Sequence, residues 1–321
     1  MNSIFLNDKD ITGFQSERFI QTEELNTIET FDFVFNEIET PVPLDFLNFL
    51  SKSIDNVITI KNDKSEDIYK GGVFQKTLDF STDIMKVVSY PFISQLDAIE
   101  DTYAQTDYVN PIKLLKDILD DNIPRYYTVN DFIGFKESLT GINAYIDTNS
   151  DTINIMNLLL QICNLFCVSL YLKRTEMNVF VIGNFPDDAL DVSNYFITKP
   201  VLPELTGVYY DYLTFTYKNS TGGAEKTVTS GSGNIKKSIE QTADIFMDDT
   251  SAQNLADRLI SIYSKNYYNF EVPAQAGFPS SVGEFVKYST KYGDFIVLIT
   301  SKEETPNQIN LKGIGVLKNG A

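Results

Sequence analysis

Adjacent acids are the residues of this chain whose types could carry out hydrolysis: Glu23 and Glu24, Asp120 and Asp121, Asp187 and Asp188, Asp248 and Asp249, and Glu303 and Glu304. Two carboxylates at a defined separation are enough for a glycosidase. Neighbours on a strand point to opposite faces, however, and on a loop they are solvated charge, so adjacency alone argues against a catalytic pair. Histidine is absent, which removes Ser-His-Asp and Cys-His arrangements and the commonest general base near neutral pH. Cys163 and Cys167 are the only cysteines. Spaced four apart in an apolar segment, they share one face of a helix and read as small core hydrophobes, since two thiols without histidine cannot complete a zinc site. The stretch Thr229-Ser230-Gly231-Ser232-Gly233-Asn234-Ile235-Lys236-Lys237 has the wrong glycine spacing for a phosphate loop and reads as a loop tip. No catalytic residue, metal or cofactor is expected.

Charge narrows the partners. The chain carries 44 acids against 26 bases, a formal charge of -18, which repels a phosphate backbone within a Debye length. Two readings of the acidity stay open: a solubilising surface, or a wall past which DNA slides without sticking. The opening residues Met1-Asn2-Ser3-Ile4-Phe5-Leu6-Asn7-Asp8 lack a basic leader followed by an apolar run, so a protein made and kept in a cytoplasm is expected. Residues 153–172 are interrupted by Asn154, Asn157, Gln161 and Asn164 and fall short of a membrane span.

These residues must be held by a mostly β scaffold, because 23 Phe and 18 Tyr among Val-, Ile- and Thr-rich runs suit half-buried pleated surfaces. Residues 3–6, 11–14, 30–36, 57–61, 73–80 and 85–90 predict strands, and the spacing of Leu44, Leu47, Leu50 and Ile54 behind Pro41 and Pro43 predicts a short helix. Asn110-Pro111 opens a helix carrying Ile112, Leu115 and Leu119. Ser150 or Thr152 opens a second, with Ile155, Leu158, Leu159, Ile162 and Phe166 on its apolar face, and a strand pair at 168–172 and 178–182 follows it. Residues 209–217 alternate as a strand, the Gly-Ser stretches at 219–223 and 229–233 read as mobile loops or a flexible arm, and Thr250 caps a third helix. Four strands close the chain near 267–272, 284–288, 295–300 and 308–317. The expectation is a β-rich α+β protein with two β-barrel-like domains, 1–95 and 191–321, around a small α/β insert at 96–190.

Several stretches resemble the hub proteins of tailed phages and related injection particles, the family of the contractile phage Mu hub. Ser251-Ala252-Gln253-Asn254-Leu255-Ala256-Asp257-Arg258-Leu259 is similar to that family's helix of the form A-x-x-L-A-x-x-L. Phe270-Glu271-Val272-Pro273 and Val282-Gly283-Glu284-Phe285-Val286 resemble its next strands, with Glu284 in place of the usual Asp. Leu158 to Cys163 with Val168-Ser169-Leu170-Tyr171 resembles its helix and hairpin, and 209–217 its strand re-entering a barrel. Each motif is a packing pattern, and their order carries the resemblance.

The resemblance implies a virion tail protein that lacks enzymatic activity and is assembled in the bacterial cytoplasm. It would form a homotrimeric baseplate hub joining the tail tube to a central spike. The implied partners are further copies of the chain, the tube or distal tail protein, the spike and the tape measure protein, with DNA as transient cargo. Three chains would bring -54, three times -18, around a channel, with Lys236, Lys237, Lys287 and Lys291 kept at contacts. Tyr209, Tyr210, Tyr212, Tyr267, Tyr268 and Phe270 are the candidate interface residues, because aromatics are enriched in buried interface centres; a place in the core is the competing reading. Two alternatives remain open, a carbohydrate-binding or host-attachment β protein and another tail component such as a distal tail or tube-adaptor protein. With no tryptophan, a sugar platform would have to be tyrosine.

Overall fold

The fold is described from a computed structural model, which covers residues 3–6, 8–10, 15–24, 31–36, 57–61, 64–65, 67–79, 84–91, 96–105, 107–122, 128–129, 139–173, 176–181, 185–202, 209–242, 244–304 and 308–319. The expected strand at 11–14 and the expected helix behind Pro43 lie outside these residues.

Seven antiparallel strands come first: β1 (Ser3–Leu6), β2 (Lys9–Asp10), β3 (Gln15–Glu24), β4 (Phe31–Asn36), β5 (Val57–Lys61), β6 (Asp67–Asp79) and β7 (Ile84–Pro91). They lie in the order β3-β4-β7-β6-β5-β1-β2. At β5 the burial is continuous, with Ile58, Thr59 and Ile60 all enclosed. Ile4 faces Ile60, and Ile60 faces Tyr69 on the next strand; all three are buried.

The middle of the chain forms β8 (Glu100–Asp101), α1 (Pro111–Asn122), β9 (Thr128–Val129), β10 (Ala144–Ile146), β11 (Ile153–Asn154), α2 (Ile155–Phe166), β12 (Val168–Lys173) and β13 (Glu176–Val181). Asn110 starts α1 as expected, its side-chain oxygen accepting from the Ile112 N–H at 3.0 Å. The cap of α2 differs from expectation. Residues 153 and 154 are held extended by pairing with β8, so the helix begins only after Asn154, whose oxygen accepts from the Asn157 N–H. Cys167 ends α2 in the left-handed region at φ 50 and returns its N–H to the Cys163 carbonyl, which turns the chain directly into β12.

The last part forms β14 (Leu190–Asp191), β15 (Tyr212–Tyr217), β16 (Lys226–Gly231), β17 (Lys236–Glu240), β18 (Ile245–Met247), α3 (Asp249–Tyr263), β19 (Tyr268–Ala274), β20 (Phe285–Thr290), β21 (Gly293–Glu304) and β22 (Ile309–Asn319). Asp248, rather than Thr250, caps α3 by accepting from the Ser251 N–H at 2.7 Å. Asp is a strong N-cap, and its charge also favours the helix N-terminus.

Two large cores stand out among the described residues. Helices supply the first: Leu115 and Ile118 of α1, Leu158, Ile162 and Phe166 of α2, and Leu255 and Leu259 of α3 pack with Leu213 and Phe215 of β15. Strand β18 pairs antiparallel with β10, tying residues 245–247 to 144–146. The second core contains no α-helix among the described residues. Strands β20, β21, β22 and β19 follow one another antiparallel and enclose Phe270, Val272, Val286, Phe295, Val297 and Ile299. Alternate residues Ile296 and Leu298 of β21 face the other way, against Phe185.

Strand β21 is long enough to serve two neighbours on one edge, β20 along its first half and β3 at 301–304. That shared strand makes one twelve-stranded sheet of the N-terminal and C-terminal strands. The structure is thus β-rich α+β, and among the described residues no sheet closes into a barrel. Residues 190–197 bond to two strands of the C-terminal roll. The Val192 N–H bonds the Lys287 carbonyl on β20 at 2.9 Å, and the Ile197 N–H bonds the Pro273 carbonyl on β19 at 3.0 Å, so this segment spans the two outer strands of the roll.

Candidate interface clusters

The six aromatic residues singled out in the sequence separate into two groups. Tyr210, Tyr212 and Tyr267 lie around the C-terminal end of α3. Tyr210 stands edge-on to Tyr263 with ring centroids 6.2 Å apart, and the Lys237 ammonium lies 4.9 Å from the Tyr210 ring and 4.6 Å from the Tyr263 ring. Lys236 covers Tyr212 at 5.3 Å. Such cation–π contacts are worth about 0.5–1 kcal/mol each at exposed sites. The Tyr267 hydroxyl donates to the Ile262 carbonyl at 3.1 Å, closing the last turn of α3. Tyr209, at 43% exposure, is the open member of this group. Tyr268 and Phe270 belong to the roll instead: Tyr268 packs edge-on to Phe295, and Phe270 is 2% exposed against Phe196.

Beneath the first group lies Cys167. The Tyr263 hydroxyl hydrogen-bonds its thiol, and the Arg258 guanidinium donates to its carbonyl at 3.3 Å. Burial raises the Cys167 thiol pKa, with nearby Arg258 opposing, and burial also raises Cys163. Neither is a ready thiolate at neutral pH, so nucleophilic chemistry is disfavoured at both. Burial pushes Tyr267 up to about 12 and lowers Arg258.

Sequence reasoning missed the organiser of this corner. The Gly-Ser run at 229–233 was expected to be a mobile loop, yet residues 231–235 wrap the start of β15. The Asp211 carbonyl accepts from the Ser232 and Gly233 N–H groups at 3.1 and 3.2 Å, and its carboxylate accepts from the Ile235 N–H at 2.7 Å. Gly231 has φ +86, and a Cβ there would meet the Asp211 carbonyl oxygen at 2.2 Å. The glycines thus allow a close backbone approach, and β17 emerges parallel to β15 on the far side from β16. An acid immediately before an alternating strand was the available signal.

No protein-family model and no curated protein matches the chain. Solved structures do. Prophage tail protein gp18 of Listeria monocytogenes superposes with a TM-score of 0.64 at 12% identity, over 99% of this chain and 95% of that one. A tail protein of Neisseria meningitidis gives 0.64 at 11%, over 98% and 95%. The tail protein of prophage MuSo2 of Shewanella oneidensis gives 0.58 at 13%, over 98% and 97%. The chain has the fold of phage tail proteins.

Within that tail-protein fold, several of the adjacent acids have structural duties. Asp248 caps α3 while Asp249 ion-pairs with Lys226 at 2.7 Å. Asp187 holds Lys318 at 2.8 Å, and Glu304 holds Lys302 at 3.5 Å. Glu23 and Glu24 face Lys302 and Ser301 across the β3–β21 ladder. Among the described residues no group of three or more Cys, Asp and Glu could hold a metal, and no helix is long and apolar enough to cross a membrane. Of the four lysines expected at contacts, Lys287 reaches Asp191 and Asp294 at 4.0 and 3.9 Å, and Lys291 lies over Tyr292.

Proposed function

We propose that this chain is a non-enzymatic structural subunit of a phage-like tail baseplate, the hub ring between the tail tube and the central spike. The observation that carries this reading is the likeness to tail proteins along nearly the whole of both chains. Absence of histidine and the structural use of the adjacent acids support the lack of catalysis. In this reading the chain resides in the virion tail, assembles in the bacterial cytoplasm as a homotrimer, and meets the tube or distal tail protein, the spike and the tape measure protein. Residues 190–197, bonded to both outer strands of the C-terminal roll, support a barrel-like unit there, the counterpart of an N-terminal one across the α/β insert. Tyr209, Tyr210 and Tyr212 then lie at a subunit contact, and DNA crosses an acidic or neutral lumen because a basic one would trap it by counterion release.

Native mass spectrometry of the purified chain, alone and with the tube protein, tests the reading. A closed trimer is the expected species. A strict monomer in both samples, or turnover of a glycan abolished by one carboxylate substitution, would overturn it.

A further inference from the structure

A groove of about 1060 Å³ lies on the roll, between the β20–β21 turn and residues 193–202. Its size is just above the upper end of ligand clefts, roughly 300–1,000 Å³. Phe196, Tyr288 and Phe295 form its floor; Phe196 meets Tyr288 edge-on at 5.3 Å and is fixed by bridging to Ala274 on β19. The rim carries Lys199, Lys291 and Tyr292, with Tyr292 72% exposed. Ile197 within the groove and the adjacent Val201 are 51% and 83% exposed. Solvated apolar side chains gathered at one cleft mark an interaction site more often than scattered ones do.

Charge states what fits. This chain has 18 more acids than bases, and the neighbouring Lys287 is occupied by Asp191 and Asp294. Among the described residues neither Lys199 nor Lys291 forms an ion pair; Lys291 lies 4.8 Å from the Tyr292 ring. Two lysines on the rim of an apolar floor, with no carboxylate paired to them among the described residues, gather positive charge at one cleft of an acidic molecule. The exposed aliphatic side chains of Ile197 and Val201 suit the apolar side chains of a peptide, and the rim lysines suit its carboxylates.

We propose that this groove binds an extended acidic segment of a partner protein, its apolar side chains on Phe196, Tyr288 and Phe295 and its carboxylates against Lys199 and Lys291. The proposal goes beyond the hub reading and stands or falls separately from it. The test is fluorescence anisotropy of the full chain with a labelled peptide alternating glutamate with leucine and phenylalanine, beside lysine-for-glutamate and glutamine-for-glutamate versions. Saturable binding of the glutamate peptide alone, weakened by added salt, is expected. Lys199→Glu and Lys291→Glu should each weaken it about fivefold, the upper end for exposed pairs, and Tyr292→Ala should weaken it as well. All three side chains are exposed, so an unchanged melting temperature certifies the variants. Charge-blind binding, or binding indifferent to all three substitutions, overturns the proposal. So does an anionic polysaccharide that binds this groove where the peptide does not, or self-association that Lys291→Glu and Tyr292→Ala abolish, which would make the occupant a second copy.

Discussion

The two cores bury comparable side chains by different means. Around α1, α2 and α3, each helix lays one apolar stripe on another element, and Leu158, Ile162, Leu255 and Leu259 point inward because residues three and four apart share a helix face. In the C-terminal roll, β19 to β22 bury both faces of one sheet, and an irregular segment does the covering: Phe185 lies on one side and Phe196 on the other. The contrast teaches that a helix-bearing core is organised by local periodicity. The helix-free core depends on a segment whose own backbone must be satisfied by the strands it covers, as the Val192 and Ile197 hydrogen bonds do.

The sharpest way to break this comparison is to open each core separately. Phe166→Ala and Phe270→Ala each remove a fully buried ring and should cost about 3–5 kcal/mol by urea unfolding. Phe166→Ala should speed labelling of the buried Cys163 thiol, which belongs to the same core. Phe270→Ala should instead lower amide-exchange protection in β19 to β22 and leave that labelling rate unchanged. Equal acceleration by both variants would mean the two cores open as one unit.

Next in size is the turn that joins the first core to its sheet. Gly231→Ala places a Cβ 2.2 Å from the Asp211 carbonyl oxygen at φ +86, so about 3 kcal/mol is expected from left-handed strain and overpacking together. Gly233→Ala meets only the Asp211 carboxylate, which can move once its bond to Ile235 is given up. It should cost less, and a double-mutant cycle with Asp211→Ala should reveal the coupling. Equal losses at the two glycines would show that the backbone approach is not the constraint.

A smaller effect is expected at the α3 cap, where Asp248→Ala should cost about 1 kcal/mol and Asp248→Asn should recover most of it, read as melting temperature. Thr250→Ala, inside the helix, should be nearly silent; the reverse ranking would return the cap to Thr250.

The smallest concerns Tyr267, whose hydrogen bond to Ile262 is worth about 1 kcal/mol or less. Burial raises its folded pKa to about 12, above the ordinary tyrosine value of 10.0. The neutral phenol is therefore favoured in the folded state, and the stability it brings is present below pH 10 and lost as pH rises toward 12. Tyr267→Phe should flatten the fall in melting temperature over that window; an unchanged slope would assign the fall to other tyrosines such as Tyr217, also raised to about 12 by burial.

The sequence by itself determined the β-rich class, the three described helices to within a few residues, and the strands of the roll. Periodicity and capping are local, so Asn110-Pro111, the stripe from Ile155 to Phe166 and the alternation from Tyr212 to Tyr217 were legible before any contact was known. The order of those segments also carried the likeness to tail proteins. Only the tertiary structure decided that β18 pairs with β10, that β21 joins β3 to β20 in one sheet, and that the six marked aromatics divide between an α3 corner and the roll. These pairings join residues about a hundred to nearly three hundred positions apart, and hydrogen-bonding edges carry no residue code to name their partner. The same limit hid Asp211: its role arises where a turn from residues 231–235 closes over it, a distance in space that spacing along the chain does not record.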